Sequence, residues 1–335
     1  MSIYFFETTP DEERYLREFL PTETLHFRRE PLTTAAQARE IADAEIVSPF
    51  VRSHLGPDVL DALPRLKMIA TRSTGFDHIN VPAAGSRAIP VCNVPTYGEN
   101  TVAEHTFALI LALSRNLHKA YIRATAGDFS LEGLQGFDLK GKTLGVIGVG
   151  HVGLHVVRIA RGFGMDVLAH DPVRDPGAAE VLGFTYTSLE DLLSRSDIVT
   201  LHAPLTRDTH HLINAKTLAQ CKRGALLINT ARGGLVDTQA LLGALDDGTL
   251  RGAGLDVLEG EEIFSEEKQL FQNPHATAES LKAALRNLTL LRRPDLVITP
   301  HIAFDSREAV ERILDTTIAN IRAFRAGTPQ NVVHC

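Results

Sequence analysis

The chain alternates short apolar runs with amphipathic stretches, a pattern typical of α/β folds built on parallel sheets. In the first hundred residues the apolar runs predict strands and the stretches between them predict helices. Together they predict a small doubly wound unit. The predicted strands lie at 3–6, 45–48, 67–71 and 89–92, and the predicted helices lie near 11–20, 35–43, 57–63 and 78–87.

A second series of apolar runs begins at Thr143 and predicts another parallel sheet. Residues 143–148 read as a buried strand, 152–163 as the helix that follows it, and 166–170 as the next strand. This spacing predicts a second doubly wound domain. Its further strands are predicted at 198–201, 226–229, 252–257 and 296–299, with a weak one at 184–186.

Two helices carry information about how the domains are arranged. Residues 100–114 are apolar on nearly all sides, which predicts a helix buried between domains or between the subunits of a homodimer. Residues 306–326 carry one apolar stripe, with Asp305 as a plausible N-cap and Glu308 in the first turn. Because this last helix follows the final strand of the second domain, it is able to return and pack on the first unit.

Three glycines and one acid mark a candidate nucleotide site after the strand that begins at Thr143. Gly148 permits a tight turn, Gly150 lets a pyrophosphate approach the backbone, and Gly153 lets the helix pack closely on the strand. The free N–H groups at the start of that helix attract phosphate. Asp171 ends the next strand, where a carboxylate accepts hydrogen bonds from ribose hydroxyls. Strand, glycines, helix, strand and acid in this order predict a dinucleotide site.

The same acid favours NAD over NADP as the cofactor. A carboxylate at position 171 repels a 2′-phosphate. Pro172 and Val173 follow it, where a phosphate-binding site would have a basic residue, although Arg174 is close by.

Bulk composition excludes several classes of function. The 335 residues are 44% hydrophobic and carry a net charge of −7, which argues against a nucleic-acid partner. No apolar stretch is long enough to span a membrane, and the first residues do not resemble a signal peptide. Cys92, Cys221 and Cys335 are scattered and have no metal-like spacing. They favour reduced thiols in a cytoplasmic protein without a metal site.

Polar residues follow several predicted strands, at the sheet edge where α/β folds bind ligands. Arg232 stands between a strand and a glycine pair, from where its guanidinium can bind a carboxylate with two hydrogen bonds, unless it forms only a surface ion pair. Asp256 ends one apolar strand and Glu261 lies just beyond it. His301 directly follows the last strand, and pairing with a carboxylate would make this imidazole suitable for proton transfer.

With these motifs the chain resembles the D-isomer-specific 2-hydroxyacid dehydrogenase family over nearly its whole length. The resemblance implies a Rossmann NAD-binding domain at 100–301, inserted in a flavodoxin-like substrate domain formed by 1–99 and 302–335. The matching motifs are 148–153, 201–206, 228–233, 254–257 with Glu261, and 299–301.

The resemblance also assigns roles to individual residues. His301 is implied to donate a proton to the substrate carbonyl while NADH delivers hydride, Glu261 to keep the imidazole charged, and Arg232 to bind the substrate carboxylate. The Thr74–Gly75 loop is implied to bind the other side of that carboxylate. Residues implied to contact NAD are Gly148, Gly150, His151, Val152, Gly153, Asp171, Ala203, Pro204, Thr209, Thr230, Ala231, Arg232 and Asp256.

Two aromatic residues are similar to the D-lactate dehydrogenase branch of the family. Phe304 follows the histidine motif, and Tyr97 matches a substrate-side residue of that branch. Phe50 follows a predicted strand and would close the same pocket. Apolar walls of this size suit the methyl group of pyruvate, unless these rings only pack the interior.

The chain departs from the family between Glu261 and His301. Residues 273–290 form a longer segment that reads as an extra helix, and Glu262 stands where the family usually has proline. Glyoxylate or hydroxypyruvate reduction and phosphoglycerate oxidation therefore stay open as alternatives. An NAD-sensing, corepressor-like binding protein also stays open, since such proteins retain much of the catalytic set.

Overall fold

A computed structural model describes residues 1–260, 286 and 288–333. The chain divides into two compact units. Unit 1 comprises Met1–Tyr97 and Ser306–Cys335, and unit 2 comprises Gly98–Asp305. Each unit is built on its own parallel sheet, which confirms the predicted α/β class.

The sheet of unit 1 has five parallel strands in the order β2-β1-β3-β4-β5. This is the flavodoxin-like order. Because every pair is parallel, all the carboxyl ends of the strands lie at one edge. The strands are β1 (Ser2–Phe6), β2 (Thr24–Arg28), β3 (Ile46–Ser48), β4 (Met68–Ala70) and β5 (Val91–Cys92).

Helices cover both faces of this sheet. The last helix, α12, packs against α1 and β4, so the C-terminal segment belongs to the core of unit 1. Ser306 is its N-cap and accepts a hydrogen bond from Ala309 N at 3.2 Å, which corrects the expectation that Asp305 caps it. The helices of the unit are α1 (Pro10–Phe19), α2 (Ala35–Arg39), α3 (Pro57–Asp61), α4 (Val81–Ser86) and α12 (Arg307–Arg325).

The sheet of unit 2 has seven parallel strands in the order β12-β11-β10-β9-β6-β7-β8. From β6 the chain first builds outward through β7 and β8, and then returns to build the other side from β9. The strand order therefore reverses beside β6, as in Rossmann folds. The strands are β6 (Thr143–Ile147), β7 (Asp166–His170), β8 (Thr185–Tyr186), β9 (Ile198–Leu201), β10 (Ala225–Asn229), β11 (Leu250–Leu255) and β12 (Leu296–Ile298).

The apolar helix predicted at 100–114 is α5, and its own unit accounts for its burial. Phe107, Ile110 and Leu113 pack in the same core as residues of α7 and β6. A partner subunit is therefore not needed to explain why this helix is apolar. The helices of unit 2 are α5 (Glu99–Ser114), α6 (Leu117–Thr125), α7 (His151–Gly162), α8 (Pro176–Leu182), α9 (Leu189–Arg195), α10 (Ala215–Leu218) and α11 (Thr238–Asp246).

Several expectations concern residues outside the described part of the chain. Glu261 lies outside it, and so does most of the 273–290 segment, of which residues 286 and 288–290 are described and helical. Among the described residues no helix is both long and apolar enough to cross a membrane.

Burial raises the pKa of the Cys92 and Cys221 thiols to about 11, so both thiols stay protonated near neutral pH.

Candidate active site

The turn after β6 requires glycine at two positions. Gly148 has φ +90°, and a Cβ there would lie 2.6 Å from the carbonyl carbon of His202. A Cβ on Gly153 would lie 2.1 Å from the Gly148 oxygen, so α7 packs directly on the turn. The turn and the first turn of α7 are therefore fixed to each other and to the end of β9.

Gly150 is different, because no atom of the described residues, apart from its chain neighbours, lies within 4 Å of the position that a Cβ would take. It is the N-cap of α7, and none of the described side chains caps the helix. The backbone N–H groups of the first turn are thus available to a ligand, and the missing Cβ leaves room for one. His151 is exposed and Val152 is half-buried at the start of this helix. These features fit a pyrophosphate at the helix N-terminus.

Asp171 holds the glycine turn in place from the end of β7. One carboxylate oxygen accepts a hydrogen bond from Val149 N, and the other accepts one from Val173 N, both at 2.8 Å. The side chain is partly exposed. Since each carboxylate oxygen has a further lone pair, Asp171 can still accept hydrogen bonds from ribose hydroxyls.

The segment after β9 lies against the glycine turn. Burial lowers the pKa of His202 to about 3, so this imidazole is neutral, and its Nε2 lies 2.9 Å from Thr200 Oγ1. Ala203 and Pro204 follow, and Thr209 Oγ1 donates to the Pro204 oxygen at 2.7 Å. A neutral His202 supports this loop without adding a positive charge to it.

Asn229 shapes the turn that carries Arg232, a role that the sequence motifs did not predict. Its buried side chain accepts from Ala231 N at 3.0 Å and donates to the Arg232 oxygen at 2.9 Å. An asparagine side chain that accepts from the backbone N–H two residues later forms an Asx turn, and an asparagine at the end of a strand is a sequence signal for such a turn. Thr230, in the same turn, has its Oγ1 3.0 Å from Thr106 Oγ1. A Cβ on Gly233 would lie 2.1 Å from the Leu258 oxygen, so the turn also packs on the segment after β11.

The carboxylate of Asp256 organises the loop that carries His301. It is only 1% exposed, and it accepts from Thr299 Oγ1 at 2.5 Å, Ile302 N at 2.9 Å and Ala303 N at 2.8 Å. The backbone of His301 has φ +55°, a conformation that costs a non-glycine residue about 1–3 kcal/mol. The hydrogen bonds to Asp256 on both sides of His301 compensate this strain.

His105 is a second residue of the site that the sequence motifs did not predict. Its Nε2 lies 3.0 Å from Thr299 Oγ1 and 3.5 Å from an Asp256 carboxylate oxygen. A histidine in the middle of an apolar helix gave no indication of this contact. His105 therefore extends the polar network behind His301 into α5.

Strand order brings three of the expected residues of unit 2 to one part of the sheet edge. Arg232 follows β10, Asp256 follows β11 and His301 follows β12, and these strands are neighbours. Glu261, the fourth, lies outside the described residues. Nearby, Glu259 is anchored by His211 Nε2 at 2.5 Å and by Thr238 Oγ1 at 2.9 Å. This edge of the sheet therefore carries a guanidinium and an imidazole, and the buried Asp256 carboxylate holds the loop of the imidazole.

The expected substrate residues of unit 1 also follow strand ends. Thr74 Oγ1 donates to the Val94 oxygen, and Asn93 Nδ2 donates to the Thr74 oxygen, each at 2.8 Å. Arg312 Nε donates to the Tyr97 oxygen at 2.6 Å. These contacts fix the backbone at 74 and 97. Gly75 and Phe50 are half-buried, as is Phe304 in unit 2.

Comparison with known proteins gives consistent results. The family model described as D-isomer specific 2-hydroxyacid dehydrogenase, NAD binding domain, matches residues 107–303. D-lactate dehydrogenase of Escherichia coli (strain K12) is 36% identical over 335 residues, which cover 98% of each chain. Glycerate dehydrogenase of Methylorubrum extorquens is 40% identical over 282 residues, covering 82% of this chain and 81% of that protein.

A solved structure extends the similarity to three dimensions. D-lactate dehydrogenase from Aquifex aeolicus, complexed with NAD and lactic acid, superposes with a TM-score of 0.86 at 37% identity. The match covers 97% of this chain and 96% of that one.

Alanine substitutions at three glycines around α7 should separate ligand binding from folding. Gly150→Ala should keep the melting temperature and weaken NAD binding, because its methyl group fills open space needed by the ligand. Gly153→Ala should lower both the melting temperature and the NAD affinity, since α7 and the glycine turn must move apart. Gly162→Ala, on the same helix with no atom within 4 Å, is the control and should change neither by much. Calorimetry and NAD titration measure both quantities, and normal NAD affinity in Gly150→Ala would contradict the assignment.

Proposed function

Because the chain belongs to the D-isomer specific 2-hydroxyacid dehydrogenase family and is an NAD-dependent D-2-hydroxyacid dehydrogenase, we propose that it reduces pyruvate to D-lactate and catalyses the reverse reaction. The observation that carries this proposal is the arrangement of Arg232, Asp256 and His301 on neighbouring strand ends. A carboxylate-binding group and a proton donor at one sheet edge are what reduction of a 2-oxo acid needs.

Bound NADH would supply the hydride, and residues of the chain would stabilise the developing charge and transfer the proton. The glycine turn and the N-terminus of α7 would bind the pyrophosphate, with Asp171 at the ribose. Arg232 would bind the substrate carboxylate through two hydrogen bonds and oppose the negative charge that develops on the carbonyl oxygen.

His301 would donate its proton to that oxygen, and would take it back from the hydroxyl in the reverse direction. We assign to Glu261 the role of stabilising the charged imidazole. Asp256 would position His301, since its carboxylate fixes the chain on either side of this residue. We further assign Thr74 and Gly75 to the substrate carboxylate, through backbone N–H groups of their loop.

Pyruvate is favoured because the proposed side-chain neighbours are large and apolar. Phe50, Tyr97 and Phe304 offer aromatic surface and no basic group for a phosphate. A methyl group suits such surroundings better than a phosphate or a hydroxymethyl group does. Hydroxypyruvate is the second candidate, favoured by the similarity to a glycerate dehydrogenase.

A panel of 2-oxo acids tests the substrate assignment. With NADH, we expect kcat/KM to be highest for pyruvate and lower for glyoxylate, hydroxypyruvate and phosphohydroxypyruvate, with the product in the D form. Phe304→Ala should shift the ranking toward acids one or two methylenes longer, by about tenfold or more.

Ile302→Ala, on the same loop, is the matched control and should leave the ranking as in the wild type. A wild-type preference for hydroxypyruvate would move the function to the second candidate. An unchanged ranking in Phe304→Ala would remove this ring from the substrate site.

We also propose that the enzyme is a homodimer, and that an apolar surface on and after α6 forms its interface. Leu117, Tyr121 and Ile122 on the helix are all more than 60% exposed, and Phe129 and Leu131 follow at 81% and 84%. Several large apolar side chains this close together in the sequence are unusual on the surface of a monomer. A second copy of the chain presenting the same surface would cover them.

Substitution within this surface tests the dimer. Ile122→Lys should shift the protein to the mass of a single chain in light scattering, because a buried lysine would lack a partner. Val181→Lys changes another exposed apolar residue, 83% exposed on α8, and should leave the mass unchanged. A monomeric wild type, or an Ile122→Lys protein that remains dimeric at low concentration, would contradict the proposed interface.

A further inference from the structure

Unit 1 contains a buried acid, Glu7, directly after β1. Its side chain is 1% exposed, and its backbone has φ +59°, which is uncommon for a residue other than glycine. A strained backbone and a buried carboxylate at the carboxyl edge of a sheet are both costly to stability. Their cost requires compensating contacts, which the neighbouring segment after β3 provides.

The carboxylate of Glu7 binds the backbone of the Phe50–Ser53 segment. Oε1 accepts from Phe50 N at 3.1 Å and from Ser53 N at 3.0 Å, and Oε2 accepts from Arg52 N at 2.9 Å. The Ser53 hydroxyl donates to Oε1 at 2.6 Å. Hydrogen bonds to an ionised acceptor are roughly twice as strong as neutral ones. Glu7 therefore fixes the position at which the chain presents Phe50.

Arg72 holds the same segment from the end of β4. Arg72 is 1% exposed, and its guanidinium donates to the carbonyl oxygens of Phe6 at 2.5 Å and Glu7 at 3.2 Å. Its backbone N–H donates to the Pro49 oxygen at 3.1 Å. The guanidinium carbon lies 5.6 Å from the centre of the Phe50 ring, within range of a cation–π contact.

Glu7 makes both interactions from a left-handed backbone conformation. Its carbonyl oxygen accepts from Arg72, and its side chain reaches the segment after β3. Backbone and ring of Phe50 are thus held by separate charged groups, one negative and one positive. A fold that needed only to bury this edge would be served by apolar residues at lower cost.

We propose that Glu7 and Arg72 are positioning residues that fix Phe50 and thereby set which 2-oxo acids the enzyme accepts. The inference rests on the proposed function, in which Phe50 borders the substrate. Glu7 and Arg72 would act on the substrate only through Phe50, because their described contacts are with other residues of the protein.

Glu7→Gln is the variant of choice, because it keeps the shape and removes the charge, while replacement of Arg72 risks loss of folding. In Glu7→Gln, one carboxylate oxygen becomes an NH₂ group that faces N–H donors, so the segment must shift. We expect KM for pyruvate to rise and the preference over 2-oxobutyrate to fall, each by about tenfold, with a smaller change in kcat. NADH affinity should be unchanged. Glu7→Asp keeps the charge and should restore part of the preference.

Two further variants complete the test. Glu18→Gln removes an exposed carboxylate from α1 and should behave as the wild type. Phe50→Ala should itself relax the preference, and Glu7→Gln combined with Phe50→Ala should relax it no further, because both act through one ring.

The outcomes distinguish a positioning role of Glu7 from a substrate role of Phe50. If Phe50→Ala relaxes the preference and Glu7→Gln lowers only the melting temperature, the positioning role is overturned and the proposed function stands. Additive effects in the double variant would likewise overturn it. If Phe50→Ala leaves the ranking of acids unchanged, the substrate role of Phe50 fails, and this inference fails with it.

Discussion

The buried carboxylate of Asp256 is the interaction on which the candidate active site depends most. It ends β11, the strand between those that lead to Arg232 and His301, and it accepts hydrogen bonds from Thr299, Ile302 and Ala303. A buried donor that loses its partner costs about 1–3 kcal/mol, so these contacts define the loop. They hold His301 in a left-handed conformation that its own preferences disfavour.

Close packing of glycines likewise fixes the backbone of the cofactor-binding turn in unit 2. Gly148 and Gly153 leave no room for a side chain, and Asp171 ties the turn to the end of β7. Of the three glycines of this motif only Gly150 has open space, and no side chain of the described residues caps the helix N-terminus beside it. Rigid support on one side and an uncovered backbone on the other suit a site that must bind an anion without rearranging.

The sequence predicted the parts of the structure that local chemistry determines. The apolar runs predicted most of the strands, and the glycine spacing predicted the turn before α7. β2 was not predicted, because Thr24–Arg28 is a half-exposed edge strand without a clear apolar run. The roles of Glu7 and His105 come from contacts with residues 43–46 and 194 positions away, which no local pattern reveals. The apolar composition of 100–114 predicts a helix buried between domains or subunits, but packing in the core of its own unit also explains that composition.

We propose that His301 is the proton donor for 2-oxo acid reduction, and removal of its side chain tests this role most directly. The measurement is single-turnover reduction of pyruvate by enzyme saturated with NADH, for wild type and His301→Ala. We expect a rate lower by about 10²–10⁴-fold, with unchanged NADH affinity, because proton transfer alone is lost. A His301→Ala rate close to that of the wild type would show that another group supplies the proton, and would contradict the proposed role of His301.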